Sequence, residues 1–199
     1  MKNSLIIVIF FILGTLIGLF SLFPNFLLEN DWSTYVLYLL MFSVGITIGA
    51  DKNIVTIIKS INRRIILVPL SVIIGTFIGV GIVSIFISNI SLRDSLAVGS
   101  GFGYYSLSGI LIGKLRGETL GVMALLSNIL REIITLLFAP LMVKYFGKIA
   151  PIASGGATSM DTTLPIITRY AGKDYVIVSV FNGFILTIIV PFLVTFILR

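Results

Sequence analysis

Residues Ala150–Pro165 read A-P-I-A-S-G-G-A-T-S-M-D-T-T-L-P and lie between two long apolar runs. The stretch has a proline near each end, two adjacent glycines, five Ser or Thr residues and one acid, Asp161. It is too polar and too easily broken to be a lipid-facing helix. At membrane depth such backbone survives only where protein encloses it or where it lines a watery cavity. The runs around it decide whether membrane depth is the right setting. The chain is 57% hydrophobic and only 11% charged, against roughly 25% charged residues in a soluble domain. That deficit places it in a bilayer. Its net charge of +6 comes from short basic clusters between apolar runs, the pattern of membrane loops, which needs no nucleic acid.

With no Cys and no His, thiol catalysis, thiolate clusters, His-ligated haem and the usual zinc sites are excluded. A Walker A motif is also missing, and Gly99–Gly103 is not a dinucleotide fingerprint, because its glycine spacing and context are wrong. No cofactor and no enzyme chemistry follow from the residues.

An all-α polytopic membrane protein of about seven segments is expected, since a span needs about 20 apolar residues. The spans are Ser4–Phe23, Ser33–Ala50, Ile65–Ile87, Thr119–Val143 and Tyr175–Leu198, with two interrupted segments between them. Gly14/Gly18 and Gly75/Gly79 are GxxxG pairs that let a neighbouring helix approach closely, or mark no more than glycine-rich spans. The first interrupted segment, Leu96–Gly113, carries five glycines and three serines; the second is the opening stretch. Their small-residue centres are 55 residues apart, which suggests an inverted repeat and places Ser106 opposite Asp161. Nine basic residues fall inside and four outside for a cytoplasmic N-terminus and an external C-terminus. The same count results whether the interrupted segments cross or re-enter. Their length, about 17 residues each, favours crossing.

Ionisable residues within spans mark candidate sites. Asp161 is one, although an acid before T-T-L-P also suits a helix N-cap. Arg131 and Glu132 are adjacent and point about 100° apart on a helix, whereas Asn128 and Glu132 share a face. Glu132 could meet substrate while Arg131 pairs with an acid such as Asp161, or the two could fix helix register. Hydroxyls at Ser100, Tyr104, Tyr105, Ser106 and Ser108 line the first interrupted segment, with the tyrosines also suited to an interface. In the second, Ser154, Gly155, Gly156, Thr158 and Thr162 surround the acid. Half-helix N-termini suit a carboxylate and the acids suit an ammonium or a coupling proton. The solute is therefore read as zwitterionic or cationic.

Three stretches resemble the bacterial lysine exporter family LysO: G-S-G-F-G-Y-Y-S-L-S-G (99–109), A-L-L-S-N-I-L-R-E (124–132) and Ala150–Pro165. The likeness runs from about residue 95 to the end; earlier it rests on hydropathy and on F-S-V-G-I-T-I-G ending at Gly49. It implies export of L-lysine and its analogue thialysine across the inner membrane, with Asp161 as the intramembrane acid and Arg131 and Glu132 in a family motif. Family members are usually longer, with further spans before the matched region. The resemblance thus implies a short companion membrane protein that completes this chain. Coupling to proton or cation entry is the expected mechanism. Self-association stays open, and membrane lipid is the remaining partner. A proton- or sodium-coupled cation antiporter and a non-transporting membrane subunit are the competing readings.

Overall fold

The computed structural model describes residues 63–87 and 89–199, together with Leu13, Leu16, Ile17, Leu19, Phe20, Tyr35, Leu39, Phe42 and Ile46 before them. The chain divides into two compact units, Met1–Leu39 and Leu40–Arg199. In the first, Leu13, Leu16, Ile17, Leu19, Tyr35 and Leu39 are helical, and the Phe20 amide donates to the Leu16 carbonyl at 3.0 Å. Most residues of the expected spans Ser4–Phe23 and Ser33–Ala50, and of the basic loop after them, lie outside the described residues.

Every described element of the second unit is helical. The α-helices are α1 (Arg63–Ser84), α2 (Leu92–Gly99), α3 (Tyr105–Arg116), α4 (Glu118–Phe146), α5 (Ala150–Gly155), α6 (Leu164–Ala171) and α7 (Val176–Leu198). A 3₁₀ turn follows α5 (Gly156–Met160) and another precedes α7 (Lys173–Tyr175). Among the described residues, three runs are long and apolar enough to cross a bilayer: Ile65–Ser84, Glu118–Phe146 and Lys173–Leu198. They match three of the expected spans. At 1.5 Å per residue, 20 residues reach about 30 Å, the thickness of the hydrocarbon core. Pro69, Pro140 and Pro191 lie inside these helices, which packed membrane helices tolerate.

The segments between the long helices double back. Arg116 Nε, at the end of α3, sits 3.4 Å from Asp94 Oδ1, near the start of α2. Arg93 donates through Nε to the Ile197 carbonyl, which puts the end of α7 beside the same point. At the other end of the bundle the Lys148 ammonium, just before α5, lies 5.6 Å from the centre of the Tyr175 ring, just before α7. The expectation that Leu96–Gly113 and Ala150–Pro165 run from one side to the other is therefore replaced by two hairpins, α2–α3 and α5–α6. Their arms explain this. An eight-residue helix such as α2 extends only about 12 Å, less than half of a bilayer core.

Glycines set the packing between arms and long helices. A methyl on Gly121 of α4 would fall 2.7 Å from both the Gly109 carbonyl oxygen and the Gly113 Cα of α3. One on Gly99 would fall 2.7 Å from Val80 of α1. Methyls on Gly75 and Gly79 would meet nothing within 4 Å. Among the described residues, then, the close approach uses Gly109, Gly113 and Gly121 rather than the GxxxG pair of α1. Phe102, Ile112, Ile152, Ile167, Leu186 and Val190 are fully buried, with Ile152 and Ile167 packed with Val68 of α1.

Candidate functional site

Each hairpin tip is an interrupted helix held by an asparagine from the long helix behind it. At the first tip, α2 ends in tightened bonds from Gly101 N–H to Val98 O (3.3 Å) and from Phe102 N–H to Gly99 O (3.1 Å). The chain then takes left-handed backbone at Phe102 (φ 44) and Gly103 (φ 95). Asn128 of α4 is buried behind this turn. Its Oδ1 accepts the Gly103 N–H at 2.7 Å, and its Nδ2 donates to Ala124 O (2.8 Å) and Val98 O (3.3 Å). Gly101 makes room: a methyl there would sit 2.5 Å from Asn128 Nδ2.

The second tip turns at Gly156 (φ 61). Asn182 of α7 is fully buried and donates through Nδ2 to Gly156 O (3.0 Å), Ser159 Oγ (3.1 Å) and Ile152 O (3.4 Å). Its Oδ1 has no partner among the described residues. Ser159 Oγ lies 2.7 Å from Gly156 O and 2.8 Å from Ser179 O. Arg131 of α4 covers the end of α5. Its Nε donates to Ser154 O (2.8 Å), its Nη2 to Ala153 O (2.9 Å) and its Nη1 to Thr76 Oγ1 (3.3 Å). A guanidinium there neutralises the partial negative charge of a helix C-terminus. The Thr135 and Ser154 hydroxyls meet at 2.7 Å beside it.

The tips touch backbone to backbone. Ala157 N–H donates to Phe102 O at 2.8 Å. A methyl on Gly156 would lie 2.1 Å from that same oxygen, and one on Gly103 would lie 2.9 Å from Gly155 O. Only glycine at both places lets the two turns meet.

Asp161 follows the second tip and is exposed. Its Oδ1 accepts the Thr162 N–H at 2.6 Å and lies 3.4 Å from Thr162 Oγ1. It does not cap α6, whose first flanking residue is Thr163. Tyr104 and Tyr105, just past the first tip, are half-buried and within electrostatic reach of Asp161. Tyr105 is also within reach of Glu132, itself half-buried. Asp161 and Thr162 therefore follow the second tip, and Tyr104 and Tyr105 follow the first, which meets it backbone to backbone.

Other expected site residues lie elsewhere. Arg131 spends its donors on α5 and Thr76, and no carboxylate among the described residues pairs with it. Asn128 is committed to the first tip. Ser100 is buried and donates to Ala97 O at 2.7 Å within its own helix. Thr158 is buried and donates to Gly155 O at 2.9 Å. Ser154, Gly155 and Gly156 shape the second tip. Ser106 is half-buried on α3. Sequence reasoning missed Asn182. Its signal was available: it is the sole Asn in the last apolar run and falls 54 residues after Asn128.

Three helices long and apolar enough to cross a bilayer, packed with two helical hairpins whose tips meet, make the described residues those of an all-α membrane protein. The chain belongs to the lysine exporter LysO family, whose family model matches residues 8–198. It is 38% identical over 169 residues to the lysine exporter LysO of Escherichia coli K12, an alignment covering 84% of this chain and 55% of that protein. It is 31% identical over 169 residues to a putative lysine exporter of Haemophilus influenzae Rd, covering 84% of each. The chain thus spans about half the length of its E. coli relative. No solved structure matches it.

Proposed function

We propose that this chain exports L-lysine, and its analogue thialysine, from the cytoplasm across the inner membrane, with Asp161 as the substrate- and proton-binding acid. One observation carries the reading: the exposed Asp161 carboxylate stands just past the paired tips, where Ala157 N–H meets Phe102 O at 2.8 Å and Tyr104 and Tyr105 follow on the opposite hairpin. The carboxylate suits the lysine side-chain ammonium, and the tyrosine hydroxyls suit its polar end. Thr162 orients the acid, and Glu132 adds a second negative charge on the Tyr105 side. Arg131, Asn128, Ser100, Ser154, Gly155, Gly156 and Thr158 hold the tips in shape.

Both hairpins re-enter the membrane in this proposal. α2–α3 dips from outside and α5–α6 from inside, so the two form an inverted repeat with their long helices α4 and α7. The N-terminus is cytoplasmic and the C-terminus external, with the basic residues of both α5–α6 ends inside. Moving one charge across 100 mV is worth about 2.3 kcal/mol. Entry of one proton per lysine would offset the work of expelling a cation against an inside-negative potential, and Asp161 would carry each in turn. A short companion membrane protein supplies the further spans of the longer relatives, and lipid or a second copy surrounds the remaining apolar faces.

The test is intracellular lysine in cells that lack their own exporter and are fed a lysine dipeptide. Expression of the chain, with its companion where required, should lower intracellular lysine. Asp161→Asn should abolish that fall at an unchanged membrane level. Retained export by Asp161→Asn would remove the acid from the mechanism. No fall in any arrangement would leave the cation-antiport reading.

A further inference from the structure

The two tips correspond at a fixed spacing of 54 residues, and one difference between them leaves a buried acceptor open. Phe102 (φ 44) corresponds to Gly156 (φ 61), Asn128 to Asn182, and the Val98 carbonyl under Asn128 to the Ile152 carbonyl under Asn182. In the same register Gly103 corresponds to Ala157. The Gly103 amide fills Asn128 Oδ1 at 2.7 Å. The Ala157 amide does not fill Asn182 Oδ1; it reaches across to Phe102 O at 2.8 Å. Asn182 Oδ1 is therefore a fully buried acceptor with no partner among the described residues. Buried acceptors are rarely left so, and such an exception calls for a reason.

We propose that the paired tips are a two-state switch in which the amides of Gly103 and Ala157 exchange acceptors. In the state seen here, Ala157 N–H bonds across the tips and Gly103 N–H bonds back to its own long helix. In the other state, Gly103 N–H bonds across to Gly156 O, the counterpart of Phe102 O, and Ala157 N–H bonds back to Asn182 Oδ1. Asn128 Oδ1 then becomes the open acceptor. Each state makes the same number of these bonds, as two populated conformations of similar free energy require. The path is short: Gly103 already lies against Gly155, where a methyl would be 2.9 Å from the carbonyl oxygen.

The return arms differ in the same sense. Thr162, after the second tip, is exposed, whereas its counterpart Ser108, after the first, is fully buried. Exchange of the two bonds would reverse that exposure. The orphaned oxygen is thus the vacant half of an alternating-access device. This inference builds on the transport reading above but concerns the tips alone.

The chain contains no cysteine, so single reporters are clean. Thr162→Cys and Ser108→Cys are labelled separately in the full chain, in open membranes, with a water-soluble maleimide. In the parent chain both should react, Thr162→Cys faster. Asn128→Leu removes the acceptor used in the present state. It should slow Thr162→Cys and speed Ser108→Cys by about fivefold, the weight of one net hydrogen bond. Asn182→Leu removes the acceptor used only in the other state. It should leave Thr162→Cys fast and slow Ser108→Cys further. Asparagine-to-serine pairs replace any leucine variant that fails to accumulate in the membrane. Shifts in the same direction for the two asparagines, or no shifts, overturn the switch. So does a Ser108→Cys that is never labelled in the parent chain. Export lost in Asp161→Asn without opposing label shifts would refute the switch and keep the transport reading. Opposing shifts without export in any arrangement would do the reverse.

Discussion

The first tip places a large apolar ring on left-handed backbone; the second places no side chain there at all. Phe102 is buried, with its ring centroid 5.9 Å from that of Phe77 on α1. A bulky residue at positive φ is uncommon and costly, so packing must hold it. Gly156 (φ 61, ψ −122) takes backbone that glycine adopts without steric penalty and gives its space to the Phe102 carbonyl. The helix ends before the two turns differ as well. The end of α2 is met by the neutral carboxamide of Asn128 and the end of α5 by the cationic Arg131. One tip is thus an apolar plug fixed by packing and the other a polar turn fixed by charge. Turns at corresponding positions can be stabilised by unlike means, and the acid Asp161 sits on the tip where formal charge is already present.

The largest expected effect comes from removing that charge. Arg131→Met leaves two carbonyls at the end of α5 without their donors. Hydrogen bonds to charged groups contribute about 1.5–3 kcal/mol each, so a loss of about 3 kcal/mol or more is expected. Thermal denaturation of the detergent-solubilised protein should show it as a large fall in Tm. Arg131→Lys should recover only part, because an ammonium lacks the planar fork that reaches Ser154 O and Ala153 O together. Full recovery by lysine would mean that charge alone holds the second tip.

A smaller effect separates the two left-handed residues. Gly156→Ala puts a Cβ on backbone (φ 61, ψ −122) that side chains rarely adopt, at a cost of about 1–3 kcal/mol. It also drives a methyl to 2.1 Å from the Phe102 carbonyl oxygen, so the tips must part and lysine export should fall sharply. Phe102→Leu keeps a bulky residue in the same backbone region and should cost about 1 kcal/mol. Export by that variant should stay near the parent level. If Phe102→Leu proves the worse of the two, the ring rather than the backbone contact joins the tips.

The hydropathy pattern made α1, α4 and α7 legible in the sequence, because 20-residue apolar runs have few other uses. Glycine density at Gly99–Gly103 and Gly155–Gly156 also showed where helices break. It did not show that the broken segments double back. That depends on pairings such as Asp94 with Arg116, between groups whose distance no local pattern encodes. The spacing of the small-residue centres came out as 55, whereas the tips align at 54, since the shared turn is Phe102 in one and Gly156 in the other. A phenylalanine carries no outward sign of left-handed backbone. Arg131 stood out as an intramembrane ion, but its partners are carbonyls, which any residue supplies. Asn182 stayed hidden for a related reason: a lone amide in an apolar helix is as readily a helix–helix contact as part of a tip.

The smallest expected effect sharpens the comparison with a single atom. Ser100 and Ser154 are counterparts, 54 residues apart. The Ser100 hydroxyl bonds only within its own helix, to Ala97 O. The Ser154 hydroxyl meets Thr135 of α4 at 2.7 Å, beside the Arg131 contact. Ser100→Ala removes a local bond that leaves no side-chain group stranded and should cost no more than about 0.5 kcal/mol. Ser154→Ala strips a partner from the buried Thr135 hydroxyl and should cost about 1 kcal/mol. Thr135→Val alone should cost a similar amount, and the double variant should cost less than the sum, because the two hydroxyls share one bond. Tm values of the four variants against the parent decide the point. If Ser100→Ala is as damaging as Ser154→Ala, the hydroxyl at the first tip reaches beyond its own helix. The contrast between a plug fixed by packing and a turn fixed by polar contacts would then be too sharp.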